Sequence, residues 1–266
     1  MSEATAGVSR RHRIEHGVLI AVTACVRRLP QSWAMRLGHG IGWIAYHLDR
    51  RHRRITIENL AATFPERSVA DRTRIAREVF AHFGRKLLEL LWFSGQSPER
   101  QLALMEFVGV EHFEAARRAG KGALMITGHF GFWELHSLAH GLHLGPLAVV
   151  ARALDNSLID RTLSDLRSST GNIVIDRKGG LRRIMRALAA NQAVAVLIDQ
   201  HILTADAVKV DFLGRPAATT SAVAVLAIRT GAAVIPAFSL PLNDGRYRLI
   251  YEPPLAVPTE ETPDAI

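Results

Sequence analysis

Short apolar segments alternate with amphipathic segments of about a dozen residues along most of this chain, and this alternation constrains the fold more than any other feature. The predicted strands are 101–110, 123–126, 147–151, 173–175, 193–198, 208–212, 233–238 and 247–251. The predicted helices are 51–60, 71–93, 111–119, 132–143, 157–168, 181–191 and 220–230. Such alternation predicts an α/β fold in which helices flank a mainly parallel central sheet. A chain of 266 residues suffices for one large domain or for a domain with an appendage.

Arginine is concentrated at the amino-terminal end of the chain. Residues 1–54 contain ten arginines and three carboxylates, so they carry +7 of the total net charge of +8. Because the rest of the chain is close to neutral, the composition argues against a nucleic-acid partner. The single cysteine, Cys25, excludes an intrachain disulfide and fits a reducing compartment.

Apolar stretches lie between the arginine clusters. The run 17–26 is shorter than the roughly 20 residues that cross a bilayer, whereas 33–48 combines tryptophan, tyrosine and arginine with aliphatic residues. That mixture is typical of a helix in the lipid headgroup region. We expect residues 1–50 to form a basic, amphipathic, membrane-associating segment, with residues 1–13 disordered, and residues 51–266 to form the second domain. The alternatives are an amphipathic helix that caps the domain and a signal peptide.

The carboxyl-terminal end, 253–266, is rich in proline, threonine and glutamate and contains no closing helix. We therefore expect that the second domain is cut short at this end.

A histidine and a carboxylate follow the predicted strand 123–126. His129 lies between Gly128 and Gly131, which permit the close approach of a substrate, and Glu134 comes five positions after it. A histidine titrates near neutral pH, and a nearby carboxylate can hold its tautomer. A spacing of five does not place two residues on one helix face, so their contact depends on the turn. A general base with a carboxylate partner and a purely structural histidine both remain open.

Polar groups also end or follow other predicted strands. They are Arg152, Asn156, Arg177, Asp199, Gln200 and Arg215. Because the carboxyl ends of parallel strands meet at one edge of a sheet, these groups are predicted to surround one crevice that binds anions. For each arginine taken singly, a surface salt bridge is the alternative.

Several common kinds of site have no motif in this sequence. There is no Gly-x-Ser-x-Gly elbow of a serine hydrolase, no phosphate-binding loop and no His-Glu-x-x-His. The histidines at 136, 140 and 143 share a helix face, but we expect them to fill or edge that face rather than to bind a metal.

A set of motifs, taken in order, resembles the bacterial lipid A biosynthesis (lauroyl/myristoyl) acyltransferase family, within the lysophospholipid and glycerol-phosphate acyltransferase superfamily. The motifs are His129-Phe-Gly-Phe-Trp-Glu134, Arg152 with Asn156, Arg167-Ser-Ser-Thr-Gly-Asn172, Arg177-Lys-Gly-Gly, Ile-Asp199-Gln200, Phe-Leu-Gly-Arg215-Pro-Ala-Ala-Thr-Thr and Ala-Val-Ile-Pro236. Two positions depart from common patterns: the superfamily usually has aspartate where this chain has Glu134, and the branch often has asparagine where this chain has Phe132.

The resemblance implies a membrane-associated O-acyltransferase with a glycerol-phosphate acyltransferase-like fold. It implies transfer of a fatty acyl chain from acyl carrier protein, or coenzyme A, to a hydroxyl of a lipid A precursor, at the cytoplasmic face of the inner membrane, without metal or cofactor. His129 would be the base and Glu134 its orienting partner. The substrate-binding residues would be Arg152, Asn156, Arg177, Asp199, Gln200 and Arg215. The alternatives are a phosphatidylinositol mannoside or another lipid as acceptor, a thioester hydrolase, and a non-catalytic lipid-binding protein.

Overall fold

The computed structural model describes residues 8–202 and 207–258. These residues divide into two compact units. The first unit, which contains the large sheet, comprises 8–13, 97–202, 207–210 and 217–258. The second, helical unit comprises 14–96 and 211–216. The helical unit therefore extends well beyond residue 50, where the sequence predicted the end of the amino-terminal segment.

Four helices lie within the described residues 8–96. They are α1 (Arg10–Val26), α2 (Gln31–Leu48), α3 (Arg50–Thr63) and α4 (Val69–Phe93). Side chains cap three of them: the Ser9 hydroxyl accepts the His12 N–H at 3.1 Å, the Asp49 carboxylate accepts the His52 N–H at 3.0 Å, and the Ser68 hydroxyl accepts the Asp71 N–H at 3.1 Å. The helices predicted at 51–60 and 71–93 are confirmed. The expected disorder of residues 1–13 is wrong for 10–13, which are helical, and residues 1–7 lie outside the described part.

Glycine allows α2 and α4 to pack with their backbones in contact. A Cβ atom at Gly84 would lie 2.2 Å from the carbonyl oxygen of Gly38, and one at Gly42 would lie 2.2 Å from that of Phe80. Both distances are far below any normal contact, so only glycine fits there. Ala34, Gly38 and Gly42 occupy most of the buried stripe of α2, which ends at Tyr46, and the other bulky apolar side chains of the helix are exposed. These exposed residues are Trp33, Leu37, Ile41, Trp43, Ile44 and Leu48.

Seven strands form the large sheet of the first unit, in the order β1-β9-β8-β2-β5-β3-β4. Their bounds are β1 (Met105–Val108), β2 (Ala123–Thr127), β3 (Leu147–Ala151), β4 (Ile173–Asp176), β5 (Ala193–Leu197), β8 (Ala233–Pro241) and β9 (Tyr247–Tyr251). The pairs are parallel except β8 with β9, which is antiparallel. The predicted, mainly parallel sheet is confirmed.

Six helices accompany this sheet in the part of the chain that the structure describes. They are α5 (Pro98–Ala103), α6 (Val110–Ala119), α7 (Trp133–His143), α8 (Ser157–Ser168), α9 (Leu181–Ala189) and α10 (Ala222–Thr230). Residues of α9 and α10 pack with the even-numbered strand residues Leu124, Ala148 and Val194 in one buried core. The odd-numbered residues of β2, β3 and β5 therefore face the other side of the sheet, because side chains alternate along a strand.

Two stretches differ from the sequence-based prediction. The strand predicted at 101–110 is limited to β1, because Ser97 caps α5 and Pro98 occupies its first turn. No strand is predicted at 213–219, but this stretch contains most of the strand β7 (Arg215–Thr220), which pairs with β6 (Ala207–Phe212) in a two-stranded sheet. None of the helices within the described residues combines the length and the apolarity needed to cross a membrane.

Candidate active site

The turn between β2 and α7 places His129 at the carboxyl end of the sheet. Gly131 has a φ of +65°, and a Cβ atom there would lie 1.8 Å from the carbonyl oxygen of Ser239 in β8. That same carbonyl accepts the N–H of Phe132 at 3.1 Å. Glycine at 131 is therefore required by both its conformation and its close contact with β8, and the contact fixes the turn that carries the histidine.

The carboxylate of Asp199 holds His129 at two points. One oxygen accepts the backbone N–H of His129 at 2.6 Å, and the other lies 2.8 Å from the ring Nδ1. The side chains of His129 and Asp199 are 34% and 40% exposed, so the pair is open to a ligand. The remaining ring nitrogen, Nε2, lies 3.4 Å from the side-chain amide nitrogen of Gln200.

The pairing of β2 with β5 brings these two residues together. The register places Thr127 opposite Leu197, and the Ile198 N–H extends the pairing to the Thr127 carbonyl at 3.0 Å. His129 and Asp199 each lie two positions beyond this matched pair. Because β2 and β5 are neighbouring parallel strands that end at the same level, the histidine and the aspartate lie side by side.

Glu134 has a different partner from the one the sequence predicted. Its carboxylate forms a bidentate ion pair with Arg167 of α8, through Nε at 3.0 Å and through a second, shorter contact from Nη2. The side chains of Glu134 and Arg167 are only 14% and 13% exposed. The expectation that Glu134 orients His129 is therefore corrected: Asp199 makes that contact, and Glu134 fixes a guanidinium instead.

A largely apolar cavity of about 810 Å³ opens beside His129. Odd-numbered strand residues such as Met125, Val149 and Ala195 line it, and these face α7. Even-numbered residues such as Val150 and Val196 line it as well, together with residues of α9 and α10. Since the two sets point to opposite faces of the sheet, the cavity wraps around the carboxyl ends of the strands. Its volume is in the range of small-molecule binding pockets.

Two buried histidines of α7 line the part of the cavity next to that helix. Burial lowers the pKa of His136 to about 4 and that of His140 to about 3, so both rings are neutral at pH 7. The hydroxyl of Tyr251 lies 3.1 Å from Nδ1 of His140, and burial raises the pKa of that tyrosine. Within the described residues, Nε2 of each histidine is buried without a hydrogen-bond partner. In the same part of the chain, no three histidine, cysteine or acidic residues are placed to hold a metal ion.

The other predicted site residues fall into different places. Arg152, Arg177 and Gln200 line the cavity. The Arg152 guanidinium lies 3.4 Å from the Asp155 carboxylate, and both side chains are so exposed that this ion pair contributes little. Asn156 instead caps α8 by accepting two backbone N–H groups, and it donates to the His12 carbonyl at 3.0 Å.

Arg215 is exposed at the first position of β7, in the segment 211–216 that belongs to the helical unit. Its predicted contact with substrate stays a prediction.

Sequence reasoning missed two pairings. Asp199 was placed among the substrate contacts rather than beside His129, and Arg167 was not assigned to Glu134. The sequence does contain a signal for the contact between His129 and Asp199. Asp199 lies two residues after the end of one strand, β5, just as His129 lies two residues after the end of another, β2. This signal becomes informative only once β2 and β5 are known to be neighbours.

Comparisons with known proteins relate the chain to lipid acyltransferases. A family model described as "Bacterial lipid A biosynthesis acyltransferase" matches residues 9–266. The chain is 32% identical over 246 residues to a lipid A biosynthesis lauroyltransferase of Escherichia coli, covering 90% of this chain and 78% of that protein. It is 30% identical over 219 residues to a phosphatidylinositol mannoside acyltransferase of Mycobacterium tuberculosis, covering 79% of this chain and 68% of that protein. A lipid A biosynthesis acyltransferase of Haemophilus influenzae is 28% identical, covering 85% and 73% of the two chains.

Proposed function

The chain belongs to the bacterial lipid A biosynthesis acyltransferase family and is a lipid acyltransferase, and from this premise we propose the reaction and the residues that perform it. A fatty acyl chain passes from a thioester of acyl carrier protein, or of coenzyme A, to a hydroxyl of a lipid A precursor or related glycolipid. The observation that carries the proposal is the contact of His129 Nδ1 with Asp199, which leaves Nε2, 3.4 Å from the Gln200 amide nitrogen, as the ring nitrogen that can accept a proton at the opening of an apolar cavity.

His129 acts as the general base. With the proton of Nδ1 directed to Asp199, the lone pair of Nε2 accepts the proton of the acceptor hydroxyl as its oxygen attacks the thioester carbonyl. The resulting tetrahedral oxyanion receives hydrogen bonds from Arg152 or from a backbone N–H near Gly131. When the carbon–sulfur bond breaks, the imidazolium returns its proton to the leaving thiol. The thioester is already activated, so the mechanism uses no acyl-enzyme.

The two carboxylates of the site have separate roles in this mechanism. Asp199 sets the tautomer of His129 and stabilises the imidazolium by its charge. Glu134 positions Arg167, and the ion pair forms part of the cavity wall next to the histidine. Arg177 and Arg215 contact phosphate groups of the acceptor, because guanidinium groups bind phosphate in a bidentate manner. Gln200 contributes a polar contact beside Nε2.

The exposed face of α2 holds the protein against the cytoplasmic face of the inner membrane. Its tryptophan and aliphatic side chains lie on the face opposite α4, and the exposed arginines Arg50 and Arg51 follow directly at the start of α3. Apolar side chains with flanking arginine suit the boundary between headgroups and acyl chains, and each cation near an anionic leaflet contributes about 1 kcal/mol.

A liposome experiment tests this attachment. Leu37→Glu/Ile41→Glu should weaken flotation with anionic liposomes at least tenfold. The control Val69→Glu/Ile173→Glu also replaces two exposed apolar residues, outside α2, and should float like the wild type. Equal flotation of both variants would refute attachment through α2.

The reaction is tested with Asp199→Asn and His129→Gln. Each should lower kcat for transfer from an acyl carrier protein thioester by roughly 10²- to 10⁴-fold, because the base loses its correct tautomer or is removed. Circular dichroism checks that both variants fold. Wild-type turnover in His129→Gln would refute the base role.

The same assay distinguishes the rival functions. Release of free fatty acid without any lipid acceptor, at the rate seen with it, would identify a thioester hydrolase. Donor binding without turnover would identify a lipid-binding protein.

A phosphatidylinositol mannoside is the second candidate acceptor, because relatives of that name match nearly as well as the lipid A enzymes. Supplying both acceptors in equal amounts and identifying the acylated product by mass spectrometry decides between them.

A further inference from the structure

One surface of the sheet unit carries an excess of positive charge, in which five cations follow the exposed carboxylate of Asp176. Arg182, Arg183 and Arg186 of α9, with Arg177 and Lys178 just before the helix, are all exposed. The sequence has no acidic residue from 177 to 198. Among the residues that the structure describes, no carboxylate forms an ion pair with any of these five cations. This surface therefore presents a positive potential to solution.

An exposed apolar pair lies next to these cations on the same helix. Leu181 is 56% exposed and Met185 is 42% exposed. The two residues are four apart and so lie one above the other, as do the adjacent Arg182 and Arg186. We call these four residues the α9 face. The buried side of α9, with Ile184 and Leu188, packs in the core under the sheet.

The α9 face adjoins the opening of the apolar cavity. Leu181 and Ile184 line that cavity, and Arg177 lines it just before the helix begins. A macromolecule bound to the α9 face is thus placed where a tethered thioester can enter beside His129.

We propose that the α9 face docks the acidic acyl carrier protein that delivers the donor; this inference rests on the proposed function. The basic pair attracts an acidic helix of the carrier and steers its encounter, and the apolar pair provides the desolvated centre of the contact. Leu181 and Met185 give far less apolar surface than the six exposed apolar residues of α2, so a protein partner fits this surface better than a bilayer does.

The test reverses charge on the α9 face and leaves the predicted substrate contacts intact. Arg182→Glu/Arg186→Glu is compared with Arg100→Glu/Arg118→Glu, which makes the same charge change at exposed positions on α5 and α6. Each variant is assayed with an acyl carrier protein thioester and with acyl-pantetheine, a donor that has the same reactive group but no protein.

We expect the α9 variant to lose at least tenfold in kcat/KM with the carrier-bound donor and to stay within twofold of wild type with acyl-pantetheine. The control variant should stay within twofold with both donors. The carrier reaction of the wild type should also fall with added salt more steeply than the acyl-pantetheine reaction, because long-range attraction is screened.

Direct binding separates this inference from the proposed reaction. Fluorescently labelled carrier protein is titrated with each full-length variant, and weaker binding of the α9 variant alone supports docking even if no acyl transfer occurs. Equal binding of the carrier to all variants, or an equal loss with both donors, would overturn the proposal. Loss of liposome flotation by the α9 variant, with its binding to the carrier retained, would also overturn the proposal, because that result would make the α9 face a membrane contact.

Discussion

Acid should destabilise this protein through the two buried histidines of α7. Burial holds the pKa of His136 at about 4 and that of His140 at about 3, against about 6.5 in an unfolded chain. Below pH 6.5 the unfolded state therefore binds protons that the folded state does not. The stability contributed by the neutral rings is complete above pH 6.5, and it decreases as the pH falls towards 4 for His136 and towards 3 for His140.

The size of the effect follows from the linkage between proton binding and folding. Each histidine lowers the free energy of unfolding by about 1.4 kcal/mol per pH unit below its unfolded pKa. Lowering the pH from 7 to 5 thus removes about 2 kcal/mol for each ring and about 4 kcal/mol for both. This is a large fraction of the 5–15 kcal/mol that stabilises a typical protein.

Urea unfolding at pH 7 and pH 5 measures this loss, followed by tryptophan fluorescence and by circular dichroism, whose transitions must coincide. His136→Gln and His140→Gln should each reduce the difference in unfolding free energy between the two pH values by about 2 kcal/mol. Comparing the two pH values cancels the destabilisation that each substitution causes by itself. The control His47→Gln, at an exposed site on α2, should keep the wild-type difference. If His136→Gln and His140→Gln also keep the wild-type difference in unfolding free energy between pH 7 and pH 5, the acid sensitivity arises elsewhere and the reasoning is refuted.

Three further substitutions test the packing and the site. Gly84→Ala should lower the free energy of unfolding by about 1–3 kcal/mol in urea because its Cβ would lie 2.2 Å from a backbone oxygen of α2, whereas Gly40→Ala, with nothing within 4 Å, should not. Glu134→Gln should cost about 3–5 kcal/mol of stability by leaving Arg167 uncompensated in a nearly buried position; unchanged thermal stability would contradict this. Ala195→Leu should favour shorter acyl donors, by about fourfold in kcat/KM for each methylene excluded from the cavity, since each contributes about 0.8 kcal/mol.

The strands of the large sheet could be predicted from the sequence because apolar runs such as 123–126 and 147–151 are short, buried and bounded by polar residues or glycine. β7 could not be predicted in this way, because all six of its residues are exposed or half-buried and Pro216 lies within the strand. Its hairpin with β6 depends on a turn, in which Leu213 and Gly214 both have positive φ and the Asp211 carboxylate accepts the Gly214 N–H at 3.1 Å.

The histidine of the site was visible in the sequence, but the choice of its partner was not. Glu134 is five positions from His129, whereas Asp199 is 70 positions away. The carboxylate of Glu134 pairs with Arg167 because α7 and α8 are in contact. The carboxylate of Asp199 contacts His129 because β2 and β5 are neighbouring strands. Strand order is a property of the whole sheet, so local spacing carries no information about it.

The separation of His129 and Asp199 along the chain also determines when the site can exist during folding. Three helices and two strands, from α7 to α9, lie between β2 and β5 along the chain and must be synthesised before β5 can pair with β2. Contacts between such distant residues form slowly, because a long loop must close first. Recovery of activity on refolding should therefore lag behind recovery of helical signal. On the ribosome, a nascent chain that has exposed His129 cannot form its contact with Asp199 until some 70 further residues have emerged.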